Sequence, residues 1–208
     1  SLFIVCRPNA PTGNAFPFET MHRVCQEFPG VVWIDEAYVD FATDHCVDFV
    51  KQYPNVVVSR TFSKSYSMAG VRLGIAYANP DLIAEMLKVK DSYNIDMLAQ
   101  TVGVAALRDR AYMEANSQRI QATRERVVAQ LTRLGFETLP SQTNFVLTRP
   151  PIDAERMFLA LRDHGFLVRY FSDERIRDRI RITIGTDEDM ASFLQAVGEI
   201  VGEAGADS

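Results

Sequence analysis

NVVVSRTFSKSYSMAGVRLGIAYA, residues 55–78, starts as an unbroken apolar run, passes through serines, a threonine and one lysine, and closes on a second apolar run. The first run reads as a strand over 55–62 and the last, LGIAYA at 73–78, as another. Neither alternates with polar residues, which is the pattern of strands covered on both faces. Working outward, LFIV (2–5) and VVWID (31–35) repeat it. Helical stretches separate most of these runs. Phe18, Met21, Val24, Cys25 and Phe28 fall at helical spacing, and 46–53 and 80–90 read the same way. Short buried strands separated by helices argue for an α/β fold, with a large parallel-type sheet and helices on both its faces.

Beyond about residue 97 the pattern changes to long helical periodicity, first MLAQTVGVAALRD (97–109) and then 112–134, with Gly135 placed to cap the end. The remainder reads strand, helix, strand, strand, helix: ETLPSQTNFVLT (137–148), AERMFLALRDHG (154–165), FLVRYF (166–171), IRITIGT (180–186) and a helix opening at Thr186 and Asp187. This is the signature of a small C-terminal α+β domain. The division expected is 1–110 for part of the large domain and 111–208 for the small one, including the long connecting helix. GEAGADS (202–208) reads as a fraying end.

Composition excludes several classes of function. With 22 Lys+Arg against 27 Asp+Glu the net charge is −5, which gives no support for nucleic acid as the main partner. No apolar run is long enough to span a bilayer, and SLFIVCRPNAPTG lacks the basic start of a signal peptide. Cys6, Cys25 and Cys46 are odd in number and lack close pair spacing, so they read as reduced thiols of a cytoplasmic protein. His22, His45 and His164 lie far apart, and the single His-Cys neighbourhood, DHC at 44–46, is too few ligands for zinc, so no metal site is expected. The abrupt start on a strand-like run reads as part of a longer protein.

Ligands of open parallel sheets sit beyond the carboxyl ends of the strands, and three motifs occupy such places: RPNAPTGN (7–14), DEAY (35–38) and RTFSKS (60–65). Asp35 and Glu36 end an apolar strand, where a carboxylate is costly unless it meets a cation or donor. A helix cap or salt bridge would also account for them, and Tyr38 alone is more often core than catalytic. Lys64 sits among Thr61, Ser63, Ser65 and Ser67. A solvated surface lysine is the ordinary reading, but a partly desolvated one can form a Schiff base with a carbonyl. Hydroxyl groups with an arginine, here Arg72, suit a phosphate. Amine, carboxylate and phosphate site together describe a pyridoxal phosphate pocket.

RPNAPTGN, WIDEAYVDF (33–41), RTFSKSYSMAGVRLG (60–74), SQTNF (141–145) and RITIGT (181–186), in this order, resemble the fold-type I pyridoxal-phosphate-dependent aminotransferases. Within them the chain is most similar to the histidinol-phosphate aminotransferase group, and the resemblance covers essentially all of it. It implies that Lys64 is the Schiff-base and proton-transferring residue. It implies that Asp35 pairs with the pyridine nitrogen and Tyr38 with the ring's 3-oxygen, while Thr61, Ser63 and Arg72 hold the phosphate. Arg181 would grip the substrate carboxylate and Arg169 would line the substrate site, a surface charge being the other reading of Arg169. Asn144 matches a position near the substrate, with a turn amide as its alternative. Relatives carry asparagine just before PTG; this chain has Ala10 there, so Asn9 enters as the candidate and Tyr38 is expected to carry more of that contact.

The implied reaction is amino transfer between histidinol phosphate and 2-oxoglutarate in histidine biosynthesis, by a cytoplasmic homodimer that shares its active site across the subunit interface. A threonine-phosphate decarboxylase or an aromatic amino acid aminotransferase of the same fold is the alternative. A cofactor-binding scaffold without catalysis is disfavoured by the presence of both Lys64 and Asp35. The resemblance also implies a preceding segment with a glycine-rich phosphate turn, a ring-stacking aromatic and a closing arm, none of which lies in these residues.

Overall fold

The first strand, β1 (Leu2–Cys6), leads through a loop and helix α1 (Phe18–Glu27) to β2 (Val31–Asp35). In the computed structural model, which describes residues 1–206, two units are seen: Ser1–Ala10 with Asn14–Ser117, and Pro11–Gly13 with the residues from Gln118 onward. In the first unit a 3-10 turn (Val39–Phe41) and α2 (Phe49–Gln52) follow, then β3 (Val56–Thr61), a 3-10 turn (Ala69–Val71), β4 (Gly74–Ala78), α3 (Pro80–Val89) and α4 (Met97–Arg108). Helix α5 (Arg110–Arg133) begins in this unit, the division falling between Ser117 and Gln118.

The sheet of the first unit runs β1-β2-β3-β4, with β1, β2 and β3 parallel and β4 antiparallel to β3. The fold is α/β as the patterning indicates, but the fourth strand departs from a purely parallel sheet. Parallel neighbours need a crossover, normally a helix. Between Thr61 and Gly74 there is only a loop with one 3-10 turn, so the chain folds straight back. The helix expected over 46–53 also contracts to Phe49–Gln52.

On one face of this sheet Val32, Ile34, Val56 and Val58 pack with Met21 and Cys25 of α1 and Phe49 of α2, all buried. Burying each such aliphatic or aromatic side chain stabilises by about 1.5–3 kcal/mol. The opposite face carries Trp33, Asp35, Val57 and Ser59, and its β1 residues Leu2 and Ile4 are 56% and 62% exposed.

The second unit holds β5 (Glu137–Thr138), β6 (Phe145–Arg149), α6 (Ala154–Asp163), β7 (Arg169–Tyr170), β8 (Ile180–Thr183) and α7 (Asp187–Ala206). Its sheet is antiparallel in the order β5-β6-β8-β7, over a core of Val127, Leu131, Val146, Met157, Leu161, Ile180, Ile182 and Phe193. The single strand expected over 137–148 splits in two, because Ser141 and Thr143 side chains take backbone hydrogen bonds that a ladder would need. The strand expected over 166–171 shortens to two residues. Gly135 and Gly165, at φ +85 and +84, end α5 and α6 in the left-handed conformation that glycine alone adopts freely. At the start of α7, Thr186 and Asp189 exchange side-chain hydrogen bonds with each other's backbone N–H, at 3.1 and 3.3 Å, in the manner of a capping box. The helix then runs on to Ala206, so the fraying expected from residue 202 does not hold over those residues; Asp207 and Ser208 lie outside the described residues.

Candidate functional site

Strand parity sorts the two adjacent carboxylates at the end of β2. Successive side chains point to opposite faces, so Glu36 follows Ile34 towards the face covered by α1 and α2, and Asp35 follows Trp33 towards the other. Glu36 is 1% exposed, with both oxygens engaged. One oxygen accepts a hydrogen bond from Arg60 Nε at 2.8 Å and forms an ion pair with Nη2 at the same distance, and the other accepts from the Cys46 backbone N–H. This is a structural carboxylate.

Asp35 is arranged differently. Its Oδ1 accepts from the Ala37 N–H at 3.1 Å and the Ser59 hydroxyl at 3.3 Å, while Oδ2 meets, among the described residues, the Cys6 thiol at 3.8 Å. A carboxylate has about four lone-pair sites, so Oδ2 keeps room for an incoming N–H donor. No cation pairs with Asp35 among the described residues.

Lys64 lies just past β3 in a loop held at both ends by its own backbone. Phe62 N–H donates to Leu73 O at 3.1 Å, Met68 N–H to Phe62 O at 3.0 Å and Ser67 N–H to Lys64 O at 3.0 Å. The neighbouring Ser65 is buried and donates to Asp40 of the 3-10 turn. Within this frame Lys64 is half-buried, with Nζ 5.4 Å from the centroid of the Tyr38 ring. The amine makes no hydrogen bond or ion pair among the described residues, and in particular none with Asp35.

The hydroxyls beside it form a pair: Thr61 Oγ1 donates to Ser63 Oγ at 3.0 Å and accepts from the Ser63 N–H at 3.1 Å. Arg72 has φ +57, a conformation that costs a non-glycine residue about 1–3 kcal/mol and persists only where its surroundings hold it. One of its nitrogens donates to Ala69 O at 2.9 Å, and no carboxylate pairs with it among the described residues. Asn9 sits in the loop after β1, which its N–H closes by donating to Asn14 O at 2.8 Å.

The second unit carries the other three candidates. Arg169 and Arg181 are direct partners across β7 and β8. The Arg181 guanidinium carbon lies 4.9 Å from the Phe145 ring centroid and 5.9 Å from that of Phe171, and Arg169 is 5.5 Å from Phe171. Neither arginine has an acidic partner among the described residues, and the buried Nε of Arg181 has no hydrogen bond. Like charges directly opposite on a sheet repel. An anion would relieve that repulsion and satisfy the orphaned nitrogen.

Asn144 precedes β6, and its backbone is pinned from several directions. Arg124 Nη1 donates to Thr143 O at 2.7 Å, Ser141 Oγ to Phe145 O at 2.6 Å, and Ile184 N–H to Asn144 O at 2.9 Å.

The first unit thus brings Asn9, Asp35, Tyr38, Thr61, Ser63, Lys64 and Arg72 to the carboxyl end of its sheet. Asn144, Arg169 and Arg181 belong to the second. Trp33, Ser59 and Cys6, which surround Asp35, escape a sequence reading because their relation to it depends on pairing register. The one signal available was the alternation that puts Trp33 and Asp35 on the same face.

Residues 1–197 match the sequence model of the family described as aminotransferase class I and II. The histidinol-phosphate aminotransferase of Microcystis aeruginosa is 43% identical over 97% of this chain and 58% of its own length. That of Geobacter sulfurreducens is 46% identical over 96% of this chain and 57% of its own. The chain therefore spans somewhat over half the length of the curated relatives it matches. Among solved structures, histidinol-phosphate aminotransferase from Sinorhizobium meliloti in complex with pyridoxal 5'-phosphate superposes with a TM-score of 0.89 at 27% identity, covering 98% of this chain and 58% of that one.

Proposed function

The chain belongs to the aminotransferase class I and II family, and on that premise we propose that the protein transfers an amino group between histidinol phosphate and 2-oxoglutarate with pyridoxal phosphate as cofactor. The observation that carries this reading is the contrast between two neighbouring carboxylates. Glu36 is spent on Arg60 and the Cys46 N–H, whereas Asp35 keeps room on Oδ2 at the same carboxyl end of the sheet that carries Lys64, an amine without an ion pair among the described residues. The residues present fit the cofactor. Asp35 would take the protonated ring nitrogen, and Tyr38 and Asn9 the ring oxygen. Thr61, Ser63 and Arg72, the last without a carboxylate partner among the described residues, would hold the phosphate. Lys64 offers the free amine.

When bound, pyridoxal phosphate supplies an electron sink for the bond broken at the substrate carbon. The rest is the work of side chains. Lys64 Nζ carries the proton removed from the substrate carbon that bears the amine. Asp35 holds a proton on the ring nitrogen. Arg181, near the rings of Phe145 and Phe171, binds the substrate anion with Arg169 opposite, and Asn144 joins them from the pinned backbone before β6. The first unit is then part of the large cofactor-binding domain and the second the small domain.

The assay is glutamate formation from histidinol phosphate and 2-oxoglutarate by the full-length protein; no transfer from histidinol phosphate, with transfer from another donor, would overturn the substrate assignment. Asp35→Ala should bind the cofactor more weakly and lose turnover by about 10²-fold or more, the scale of a removed electrostatic contact at the reacting centre. Asp35→Ala activity close to wild type would make Asp35 a second structural carboxylate.

The partner of this chain is a second copy. Val89, Tyr93, Met97 and Leu98, from the end of α3 to the start of α4, are 75–86% exposed. Large apolar side chains exposed this close together along one segment suit an interaction surface. Sedimentation should give a dimer, and Tyr93→Asp with Leu98→Asp should shift it towards monomer and cost activity. A fully active monomer at assay concentration refutes the shared site. The compartment is the cytoplasm, in keeping with three free thiols, and no helix among the described residues is long and apolar enough to cross a membrane.

A further inference from the structure

The sheet face that presents Asp35 carries a polar row. Cys6, Asp35 and Ser59 are Cα partners across β1, β2 and β3, so their side chains stand side by side. Trp33 shares the face one alternation earlier, and its Nε1–H donates to Ser59 Oγ at 2.9 Å. An indole is a donor only. The serine oxygen therefore accepts from Trp33, and its own proton is left for Asp35 Oδ1 at 3.3 Å. A serine hydroxyl otherwise rotates to suit any neighbour; here the indole removes that freedom. With the Ala37 N–H at 3.1 Å on the same oxygen, Oδ1 is held by two donors from different directions. The remaining neighbour, the Cys6 thiol, is long and weak at 3.8 Å and sits on Oδ2, so it does not compete for Oδ1.

We propose that Ser59 is a positioning residue for the transamination and that Trp33 acts through it, the pair fixing the Asp35 carboxylate so that Oδ2 faces the cofactor's ring nitrogen. This rests on the reading that Asp35 meets that nitrogen. The hydroxyl touches neither substrate nor cofactor; its contribution is the angle at which the carboxylate is presented. Threonine at this position keeps the hydroxyl and suits a strand, whereas alanine leaves Oδ1 with the Ala37 N–H alone and the carboxylate free to turn.

The test titrates cofactor-free, full-length protein with pyridoxal phosphate by absorbance, alongside kcat, KM and the thermal midpoint of the cofactor-free form. Ser59→Ala should weaken cofactor binding about tenfold, the worth of a hydrogen bond to a charged group, and lower kcat with KM for glutamate little changed. Ser59→Thr should restore both. Trp33→Phe should give a smaller loss in the same direction, and the double variant Trp33→Phe/Ser59→Ala should be no worse than Ser59→Ala. Cofactor affinity and kcat of Ser59→Ala within twofold of wild type, with only the thermal midpoint lowered, would make the hydroxyl merely structural and overturn the proposal. Losses that multiply in the double variant would overturn the relay through Ser59. Should Ser59→Ala fail to fold, Trp33→Phe against Ser59→Thr decides the same question. Wild-type protein that binds no pyridoxal phosphate would refute the underlying function; wild-type protein that binds it, with Ser59→Ala unaffected, would refute this inference alone.

Discussion

Replacing Lys64 with alanine is expected to reduce transamination by at least about 10³-fold, within the range that positioned acid–base groups contribute, while the protein stays folded. The two halves of that expectation have separate causes. Lys64 Nζ makes no hydrogen bond or ion pair among the described residues, and it lies 5.4 Å from the centroid of the Tyr38 ring. A cation–π contact at a partly exposed site is worth about 0.5–1 kcal/mol, small beside a stability of about 5–15 kcal/mol. The loop itself is held by Phe62, Ser65, Ser67 and Met68, none of which changes. The measurement is turnover with histidinol phosphate and 2-oxoglutarate beside near-ultraviolet circular dichroism and thermal midpoint. Substantial turnover in Lys64→Ala would remove the central residue of the assignment; a collapsed fold would mean that the loop depends on the lysine stem.

The second large effect belongs to Arg181. Arg181→Ala should lower kcat/KM for glutamate by tens- to thousands-fold, since losing one partner of a desolvated charge pair costs about 2–5 kcal/mol. Histidinol phosphate has no α-carboxylate, so its phosphate must find cationic groups too. Arg169 stands opposite Arg181, and both lie against Phe171. Arg169→Ala should therefore hurt the phosphorylated substrate at least as much as glutamate. It should not lower the thermal midpoint of the free protein, because it removes a like-charge neighbour. Comparing kcat/KM for both substrates across the two single variants checks this. An Arg169→Ala enzyme unimpaired towards the phosphorylated substrate would place phosphate recognition elsewhere.

Much of the first sheet was legible because its strands begin as short unbroken apolar runs: VVWID and NVVVSRT became β2 and β3. The direction of β4 was not, since antiparallel return depends on what the loop between 62 and 73 lacks, and a mixed run of serines and glycine does not announce the absence of a helix. The break between β5 and β6 was hidden for a related reason. The side-chain hydrogen bonds of Ser141 and Thr143 replace ladder bonds, and strand propensity does not register that substitution. At the candidate site, residue types singled out Lys64, Asp35 and the hydroxyls, and the roles proposed for them come from the resemblance. What surrounds Asp35 could not be read, because Ser59 is distant in sequence and becomes its neighbour only through the β2–β3 register.

The opposed directions of Asp35 and Glu36 make β2 an arithmetic device, in which only odd and even matter. Exchanging one apolar residue for another along Val31–Ile34 leaves the parity of both carboxylates intact. Inserting or deleting a single residue there inverts it: the aspartate would be turned towards Arg60 and the Cys46 N–H, and the longer glutamate towards Ser59 and the open face. Apart from Trp33 and its hydrogen bond, this strand can therefore drift in composition, whereas its length between the first paired residue and Asp35 is a counted quantity that decides which carboxylate faces Ser59.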